Sequence, residues 1–305
     1  MNWVLVHDEL LVHCLPCLAT IIISFAREFE GQLKHTLRTL NVSQSAFAHV
    51  APNFLTSSTR GTVDVWDVQT GNFLFKFKSC GGGVVCAIAP LDGGLVAFGG
   101  TDSKISVWDN DKLLTFPVKS SVYALCSLPR GKFASGTEKG LIQVWDTNSR
   151  VCVAAIQGSN RGVEALLALP NDQLASAFDD NTVRVWSLAT SALVTTLHGH
   201  TATVSALALL RDGNLASGSW DFTIRIWDYS KSLCVRQLLG HTKPVASLLV
   251  LPDGKLVSGA RDNCVRVWDV GDGTCLHKLP ATGGLCLHNN NELVVFGKLE
   301  ITFWW

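Results

Sequence analysis

The chain has 305 residues, a length that suits either two ordinary domains or one domain built from repeats. Its 25 basic and 25 acidic residues give a net charge of zero, and charged residues make up only 16% of the chain, so nucleic acid is disfavoured as a primary ligand. The ten cysteines are dispersed and several fall in apolar stretches. We therefore expect free thiols in a reducing compartment, the cytoplasm, with the nucleus as an additional site.

Residues 1–30 precede the repeats as an apolar extension. The stretch 10–26 carries no charge, but its length is at the lower limit for crossing a bilayer, and Pro16 interrupts it. Asp8 and Glu9 stand where a secretory signal would have basic residues. A membrane anchor or signal is therefore disfavoured, and we expect an extra strand or helix docked on the domain, or a poorly ordered start.

Cys14 and Cys17 have the spacing of half a zinc site. No second pair of cysteines or histidines follows at the spacing that zinc motifs use. The sequence also has no glycine-rich loop that leads into a helix and could cradle a phosphate. We therefore expect no metal and no cofactor.

From residue 31 onward, tryptophans recur at a near-constant interval, each closing a short stretch of alternating apolar residues. They are Trp66, Trp108, Trp145, Trp186, Trp227, Trp268 and Trp304. An interval of roughly 40 residues predicts seven repeated units in one domain, 31–305. The last unit ends without a fourth strand, whereas residues 32–40 read as an unassigned strand, so we expect this N-terminal strand to complete it and remove an open sheet edge.

The clearest two repeats run from Gly199 to Asp269, where Gly-His, Ser, Asp and Trp all recur at one fixed spacing. Within the first copy, alternating or small apolar residues predict strands at 204–209, 214–218, 223–227 and 232–238. The Leu210–Gly213 segment between the first two strands has the residues of a turn. Each unit is therefore predicted to be four short antiparallel strands.

These residues resemble the WD-repeat family. The resemblance implies an all-β, seven-bladed β-propeller of four-stranded antiparallel blades, with the last blade closed by the N-terminal strand. It also implies a hydrogen-bonded tetrad of histidine, serine, aspartate and tryptophan in a complete blade. The matching residues are His200, Ser217, Asp221 and Trp227, and again His241, Ser258, Asp262 and Trp268.

A Ser-His-Asp set also admits a catalytic interpretation, in which the histidine activates the serine as a nucleophile. A catalytic triad would occur once, whereas this set recurs in register. The carboxylate would instead fix the tautomer of the imidazole inside a crowded blade. We therefore predict a structural role for the tetrads and no enzymatic activity.

Several blades depart from the family pattern at the hairpin position six residues before the tryptophan. That position is occupied by Arg60, Asp102, Lys139, Asp180, Asp221, Asp262 and Lys298. Glycine follows in Arg60–Gly61 and Lys139–Gly140, which predicts tight turns that depend on the backbone freedom of glycine. Ser159 stands where the histidine is expected. We expect the departing blades to be less stable.

The hairpins between second and third strands, and the loops that join blades, should emerge on one face. The residue just before the hairpin aspartate position is Thr59, Thr101, Glu138, Asp179, Trp220 or Arg261. Trp220 is either an interface anchor or a ring that lies flat on the neighbouring blade. We predict that Trp220, Arg261, Asp179 and Glu138 contact a partner.

The sequence predicts a non-catalytic scaffold that presents this face to a protein or peptide. The Gly218–Asp221 run, Gly-Ser-Trp-Asp, resembles propellers of the ubiquitin system, which implies a reader of ubiquitin or a receptor for degrons as the alternative. A recruiting domain outside the ring, which such receptors normally carry, is not evident in these residues. A third hypothesis is a membrane-tethered scaffold that uses residues 10–26.

Overall fold

The computed structural model describes residues 33–38, 47–51, 54–59, 62–67, 73–78, 83–109, 112–280, 284–288, 292–296 and 300–304. The predicted extension at residues 1–30 lies outside this part of the chain. The described residues form β-strands joined by short turns, with one 3-10 turn at Asp92–Gly94 and no α-helix. Consequently no helix in these ranges is long and apolar enough to cross a bilayer.

The strands are numbered in chain order. Those before residue 80 are β1 (Leu33–Arg38), β2 (Phe47–Ala51), β3 (Phe54–Thr59), β4 (Thr62–Asp67) and β5 (Phe73–Lys78). Those between residues 85 and 157 are β6 (Val85–Pro90), β7 (Val96–Gly100), β8 (Lys104–Asp109), β9 (Lys112–Pro117), β10 (Val122–Leu128), β11 (Lys132–Thr137), β12 (Leu141–Asp146) and β13 (Cys152–Gln157).

The remaining strands continue the same spacing. Those up to residue 238 are β14 (Val163–Leu169), β15 (Gln173–Phe178), β16 (Val183–Ser187), β17 (Leu193–Leu197), β18 (Val204–Leu209), β19 (Leu215–Ser219), β20 (Ile224–Asp228) and β21 (Leu233–Leu238). The last are β22 (Val245–Val250), β23 (Leu256–Ala260), β24 (Cys264–Trp268), β25 (Cys275–Pro280), β26 (Gly284–His288), β27 (Glu292–Phe296) and β28 (Glu300–Trp304).

Five four-stranded antiparallel sheets follow one another along the chain: β6 to β9, β10 to β13, β14 to β17, β18 to β21 and β22 to β25. Strands β2 to β5 are ordered in the same way, and β26 to β28 are ordered with β1 beside β28. The four strands predicted between residues 204 and 238 are confirmed as β18 to β21, each within one residue of its predicted limits.

The register explains why the tryptophan occupies a fixed place in each sheet. The pairing between third and fourth strands shifts immediately before the tryptophan, between Ile226 and Trp227 and between Val267 and Trp268. A bulge of this kind turns a side chain away from the direction that regular pleating would give it. In the two sheets β18 to β21 and β22 to β25, the indole is 1% exposed.

The core lies between successive sheets. Ile224 and Leu238 of one sheet pack with Val245, Leu256 and Trp268 of the next. The second strand of each of these sheets is buried along its length, as in Leu256–Ala260, because both of its faces are covered. Burial on both sides accounts for the continuous run of small and apolar residues in these strands.

Glycine in the second strand allows the neighbouring sheet to come close. A Cβ atom added at Gly218 would lie 2.6 Å from Cγ1 of Val245 in the next sheet. At Gly136 the same hypothetical atom would come closer still to Cγ1 of Val163. A larger residue at either position would therefore push adjacent sheets apart.

Candidate functional site

Four side chains form a continuous hydrogen-bonded chain in the sheet β18 to β21. Nδ1 of His200 lies 2.8 Å from the Oδ2 atom of Asp221, and its Nε2 atom lies 2.7 Å from Oγ of Ser217. The indole Nε1–H of Trp227 donates to the same hydroxyl oxygen at 2.7 Å. These contacts bring together all four residues that the sequence assigned to this tetrad.

The sheet β22 to β25 repeats the arrangement. His241 contacts Asp262 through Nδ1 at 2.9 Å and Ser258 through Nε2 at 2.7 Å. The Nε1–H of Trp268 donates to Oγ of Ser258 at 2.8 Å. The second predicted tetrad is thus assembled with nearly the same distances as the first.

The contacts define which ring nitrogen of the neutral histidine carries the hydrogen. An ionised carboxylate can only accept, so Nδ1 of His200 carries the hydrogen that bonds to Asp221. In the neutral imidazole, Nε2 then accepts the hydroxyl hydrogen of Ser217, whose oxygen accepts from Trp227. One donor is matched to one acceptor at each step.

Burial and hydrogen bonding act in opposite directions on the two carboxylates. Burial alone would raise the pKa of Asp221, but the hydrogen bonds from His200, Thr223 and Thr201 outweigh it and hold the pKa far below its usual value. The pKa of Asp262 is lowered in the same way. Both groups are therefore carboxylates at neutral pH.

Burial has the opposite consequence for the histidine. It lowers the pKa of His241, and the hydrogen bond that this residue donates to Asp262 offsets the effect only in part. The imidazole is consequently neutral near neutral pH, in agreement with the hydrogen-bond pattern.

The tetrad geometry favours a structural role. Ser217 and Ser258 have no exposed surface, and the histidines beside them are each 7% exposed. A nucleophile has to meet its substrate, whereas these hydroxyl groups are enclosed and hydrogen-bonded on two sides. The tetrad joins three parts of one sheet: the loop before the first strand, the second strand and the third strand.

The sheet β14 to β17 lacks the histidine and uses other residues. Oγ of Ser159 donates to Asp180 at 2.7 Å, and Nη2 of Arg184 contacts the same carboxylate oxygen at 2.7 Å. The ring of Phe178 is fully buried and lies under the guanidinium carbon of Arg184, 4.7 Å from it. Ser159, Asp180 and Arg184 thus form a polar network beside the buried ring of Phe178, while the predicted lower stability of this sheet remains a prediction.

The sheet β10 to β13 depends on glycine at the equivalent hairpin, as predicted. Gly140 has φ of 74°, in the left-handed region. A Cβ atom there would clash with the carbonyl oxygen of Ser159. The Arg60–Gly61 turn and Lys298 lie outside the described residues.

The four residues predicted to contact a partner, together with Thr101, occupy equivalent positions in their sheets. In each case the backbone N–H donates to the carbonyl oxygen just before the first strand of the same sheet. The five bonds are Thr101 to Val84 at 2.9 Å, Glu138 to Ser121 at 2.9 Å, Asp179 to Gly162 at 3.0 Å, Trp220 to Thr203 at 2.9 Å and Arg261 to Pro244 at 2.9 Å. Each hairpin tip is therefore held near the start of the first strand of its own sheet.

Trp220 is 40% exposed, although it contacts a neighbour. The guanidinium carbon of Arg261, from the next sheet, lies 5.0 Å from the centre of its ring. Asp179 accepts a hydrogen bond from Oγ1 of Thr203, and the side chain of Glu138 is exposed. The ring of Trp220 is thus partly covered and partly free, and its contact with a partner remains a prediction, as do those of Arg261, Asp179 and Glu138.

Two further residues of this face were not predicted. Phe222 is 42% exposed and has φ of 73°, a backbone conformation that asparagine adopts at the equivalent Asn181 and Asn263. Glu164 is the second residue of β14 and therefore lies in the first strand of its sheet. Phe222 could have been identified from the sequence, because it is a bulky residue where the equivalent turns have asparagine.

No cluster of three or more His, Cys, Asp or Glu side chains within the described ranges has the proximity needed to hold a metal ion. The Cys14–Cys17 pair precedes those ranges.

Comparison with known proteins agrees with the geometry. The sequence model for "WD domain, G-beta repeat" matches residues 110–146, 150–187, 191–228 and 232–269. A solved structure, the WD40 beta propeller domain of Doa1, superposes with a TM-score of 0.78 at 23% sequence identity, covering 91% of this chain and 98% of that one. No curated protein matches the sequence. Since 1707 solved chains match in structure, the fold is widespread and does not by itself select a function.

Proposed function

Because the chain belongs to the WD40 repeat family of β-propellers, we propose that it is a non-catalytic scaffold whose hairpin face binds a protein or peptide partner. The observation that carries this proposal is the 40% exposure of Trp220 at a hairpin tip, beside Arg261. Tryptophan and arginine are the residues that most often dominate the energetics of interfaces. The two tetrads support the proposal because they fix the hairpins that carry these residues.

The proposed scaffold has seven blades, the last completed by the N-terminal strand. The support lies in strand order, since β1 is antiparallel to β28, with Thr36 opposite Thr302. Strand β26 also contacts both β22 and β2, as closure of a ring requires. Cysteines introduced at Thr36 and Thr302 should form a disulfide on mild oxidation, whereas Thr36 paired with Thr115 of β9 should not. If the two pairs cross-link equally, the ring does not close at this point.

Affinity purification tests the scaffold. Tagged wild type, Trp220→Ala and Leu233→Ala are compared, because Leu233 is 55% exposed on an outer strand, away from the hairpin face. We expect at least one partner that Trp220→Ala loses and Leu233→Ala retains. Partners that are indifferent to both Trp220→Ala and Arg261→Glu would show that another surface binds. Turnover of a small molecule that disappeared in Ser217→Ala would contradict the non-catalytic assignment.

A ubiquitin reader is the second candidate. The observation that favours it is the Gly218–Asp221 run, which resembles propellers of the ubiquitin system and places Trp220 on the exposed face. Titration of labelled ubiquitin with wild type and Trp220→Ala separates this candidate from other partners. Binding that the substitution weakens would support it, and absence of binding to the wild type would eliminate it.

We further propose a reducing location, the cytoplasm, with the nucleus as an additional compartment. The support is that Cys126 is a free thiol between two sheets, where its sulfur accepts the N–H of Ala168. Imaging of the tagged chain tests the location. Carbonate extraction of membranes tests the alternative tether at residues 10–26, because a peripheral protein is released and an anchored one is retained.

A further inference from the structure

Thr203 joins two neighbouring sheets at the hairpin face. Its carbonyl oxygen accepts the N–H of Trp220 at 2.9 Å, within its own sheet. Its hydroxyl group donates to the Oδ1 atom of Asp179, in the preceding sheet, at 2.5 Å. Thr203 therefore bonds to both the hairpin that carries the exposed ring of Trp220 and the carboxylate of Asp179.

Two aromatic side chains project from the same hairpin. Trp220 and Phe222 are 40% and 42% exposed. Phe222 has φ of 73°, which is unfavourable for a bulky residue, whereas Asn181 and Asn263 have φ of 67° and 61° at equivalent positions. A phenylalanine at this position stabilises neither the left-handed backbone conformation nor the buried core. Strain at an exposed position is typical of residues retained for binding.

Carboxylates line the adjacent part of the face. Glu164 lies at the start of β14, and Glu138 and Asp179 are the tips of the two nearest hairpins. The side chains of Glu138 and Glu164 have no hydrogen-bond or ion-pair partner among the residues that the structure describes. Both carboxylates can therefore accept a hydrogen bond from an approaching group.

The carboxylates of this sector lie within electrostatic range of one another. Burial raises the pKa of Glu164, and the charge of Asp179 raises it further. Burial also raises the pKa of Tyr123, with additional contributions from Glu138 and Glu164. The exposed Lys139 and Arg161 lie in the adjoining hairpin and loop.

We propose that this face recognises a peptide segment in which a lysine or arginine stands next to a bulky apolar side chain. The apolar side chain packs on Trp220 and Phe222, and the cation is placed against Asp179 and Glu164, on the other side of Thr203. Arg261 lies over the face of the Trp220 ring on the side of the next sheet and repels a second cation there, which sets the direction of the segment. This inference rests on the proposed function and specifies its partner.

The test is selection of random twelve-residue peptides displayed on phage against the full chain. We expect selected sequences to be enriched in Lys or Arg adjacent to Leu, Ile, Phe or Trp. Binding of a selected peptide should fall about 30-fold or more in Trp220→Ala, and about 3- to 10-fold in Glu164→Gln and in Asp179→Asn. The Asp179→Asn amide oxygen can still accept from Thr203, so this variant removes charge without removing the bond.

Controls separate charge from folding. Asp92→Asn removes an exposed carboxylate at the opposite end of its sheet and should leave binding unchanged. Phe222→Asn should weaken binding while leaving the urea midpoint unchanged or raised, because asparagine suits the left-handed turn. Binding should also weaken with added salt in wild type, and less so in Glu164→Gln.

The outcomes distinguish this inference from the proposed function. Selected peptides that depend on Trp220 but carry no basic residue would overturn the inference and leave the scaffold standing. Basic peptides that bind equally well to Glu164→Gln and Asp179→Asn would also overturn it. Failure to select any peptide that depends on Trp220 would overturn the inference, whereas the scaffold would be overturned only if affinity purification also found no partner that depends on Trp220 or Arg261.

Discussion

The guanidinium carbon of Arg261 lies 5.0 Å from the centre of the Trp220 ring. The two residues stand at equivalent positions of successive sheets, one repeat apart in the chain. Each hairpin tip is anchored to its own sheet by a backbone bond, to Pro244 and Thr203 respectively. The side-chain contact therefore joins two separately anchored hairpins.

A double-mutant cycle measures this contact. Trp220→Ala and Arg261→Ala, made singly and together, should show a coupling free energy of about 0.5–1 kcal/mol in urea unfolding, the range for an exposed cation–π pair. The same cycle with Arg211→Ala in place of Arg261→Ala should show none, because Arg211 lies in the turn at the other end of the sheet. Equal coupling in the two cycles would mean that the substitutions act through the fold in general.

Removal of the central tetrad hydroxyl should be costly. Ser217→Ala leaves both Nε2 of His200 and Nε1 of Trp227 without a partner in a buried site, and we expect a loss of about 2–4 kcal/mol in unfolding free energy. Ser176→Ala is the matched control. Its hydroxyl accepts from Trp186 but contacts no histidine, so about 1–2 kcal/mol is expected. Equal losses would show that the histidine contributes nothing to the cost.

The free energy of unfolding should fall as the pH is lowered from neutral. The folded pKa of His241 is depressed below 6.5. The unfolded chain therefore takes up the proton first, and stability present above pH 6.5 is lost as the pH falls toward the folded pKa. Asp221 and Asp262 have folded pKa values below 3.8, so they add a further loss below that pH.

Urea unfolding at a series of pH values checks this sign. His241→Gln should flatten the dependence below pH 6.5. A wild-type protein that became more stable over this interval would contradict the assignment of a neutral, buried imidazole.

Substitution of Gly140 should be more harmful than substitution of Gly213. Both have positive φ, 74° and 86°, so alanine is strained at each. The added methyl group meets the carbonyl oxygen of Ser159 only at Gly140, since nothing lies within 4 Å at Gly213. We expect Gly213→Ala to cost about 1 kcal/mol and Gly140→Ala to cost about 3 kcal/mol or more, measured as urea midpoints with the slope held constant. Comparable losses of stability would show that the effect of each substitution comes from the positive φ alone and not from contact with Ser159.

Cysteine reactivity should follow burial. Burial raises the pKa of Cys126 to about 11, while Cys275 is exposed. A brief pulse of iodoacetamide at about pH 8 should modify Cys275 and spare Cys126. Mass spectrometry of the digested chain measures both sites, and unfolding in urea before the pulse should remove the difference. Early modification of Cys126 in the folded protein would show that its sheet opens readily.

Much of this protein is determined by the sequence alone, because the relevant interactions are local or repeated. Alternation of apolar residues and turn residues placed β18 to β21 within one residue of their limits. The recurring His, Ser, Asp and Trp identified both tetrads through their resemblance to the WD-repeat family. Gly140 was predictable for the same reason, since a tight turn depends on the residues within it.

What only the tertiary structure decided concerns contacts between different sheets. The sequence indicated that Ser159 replaces a histidine, but only packing showed that Ser159 and Arg184 share the carboxylate of Asp180 beside the buried ring of Phe178. Likewise, the contact of Arg261 with Trp220, and the bond from Thr203 to Asp179, depend on the distance and angle between adjacent sheets. No periodicity within one chain segment encodes that geometry, because it results from the fit of two buried surfaces against each other.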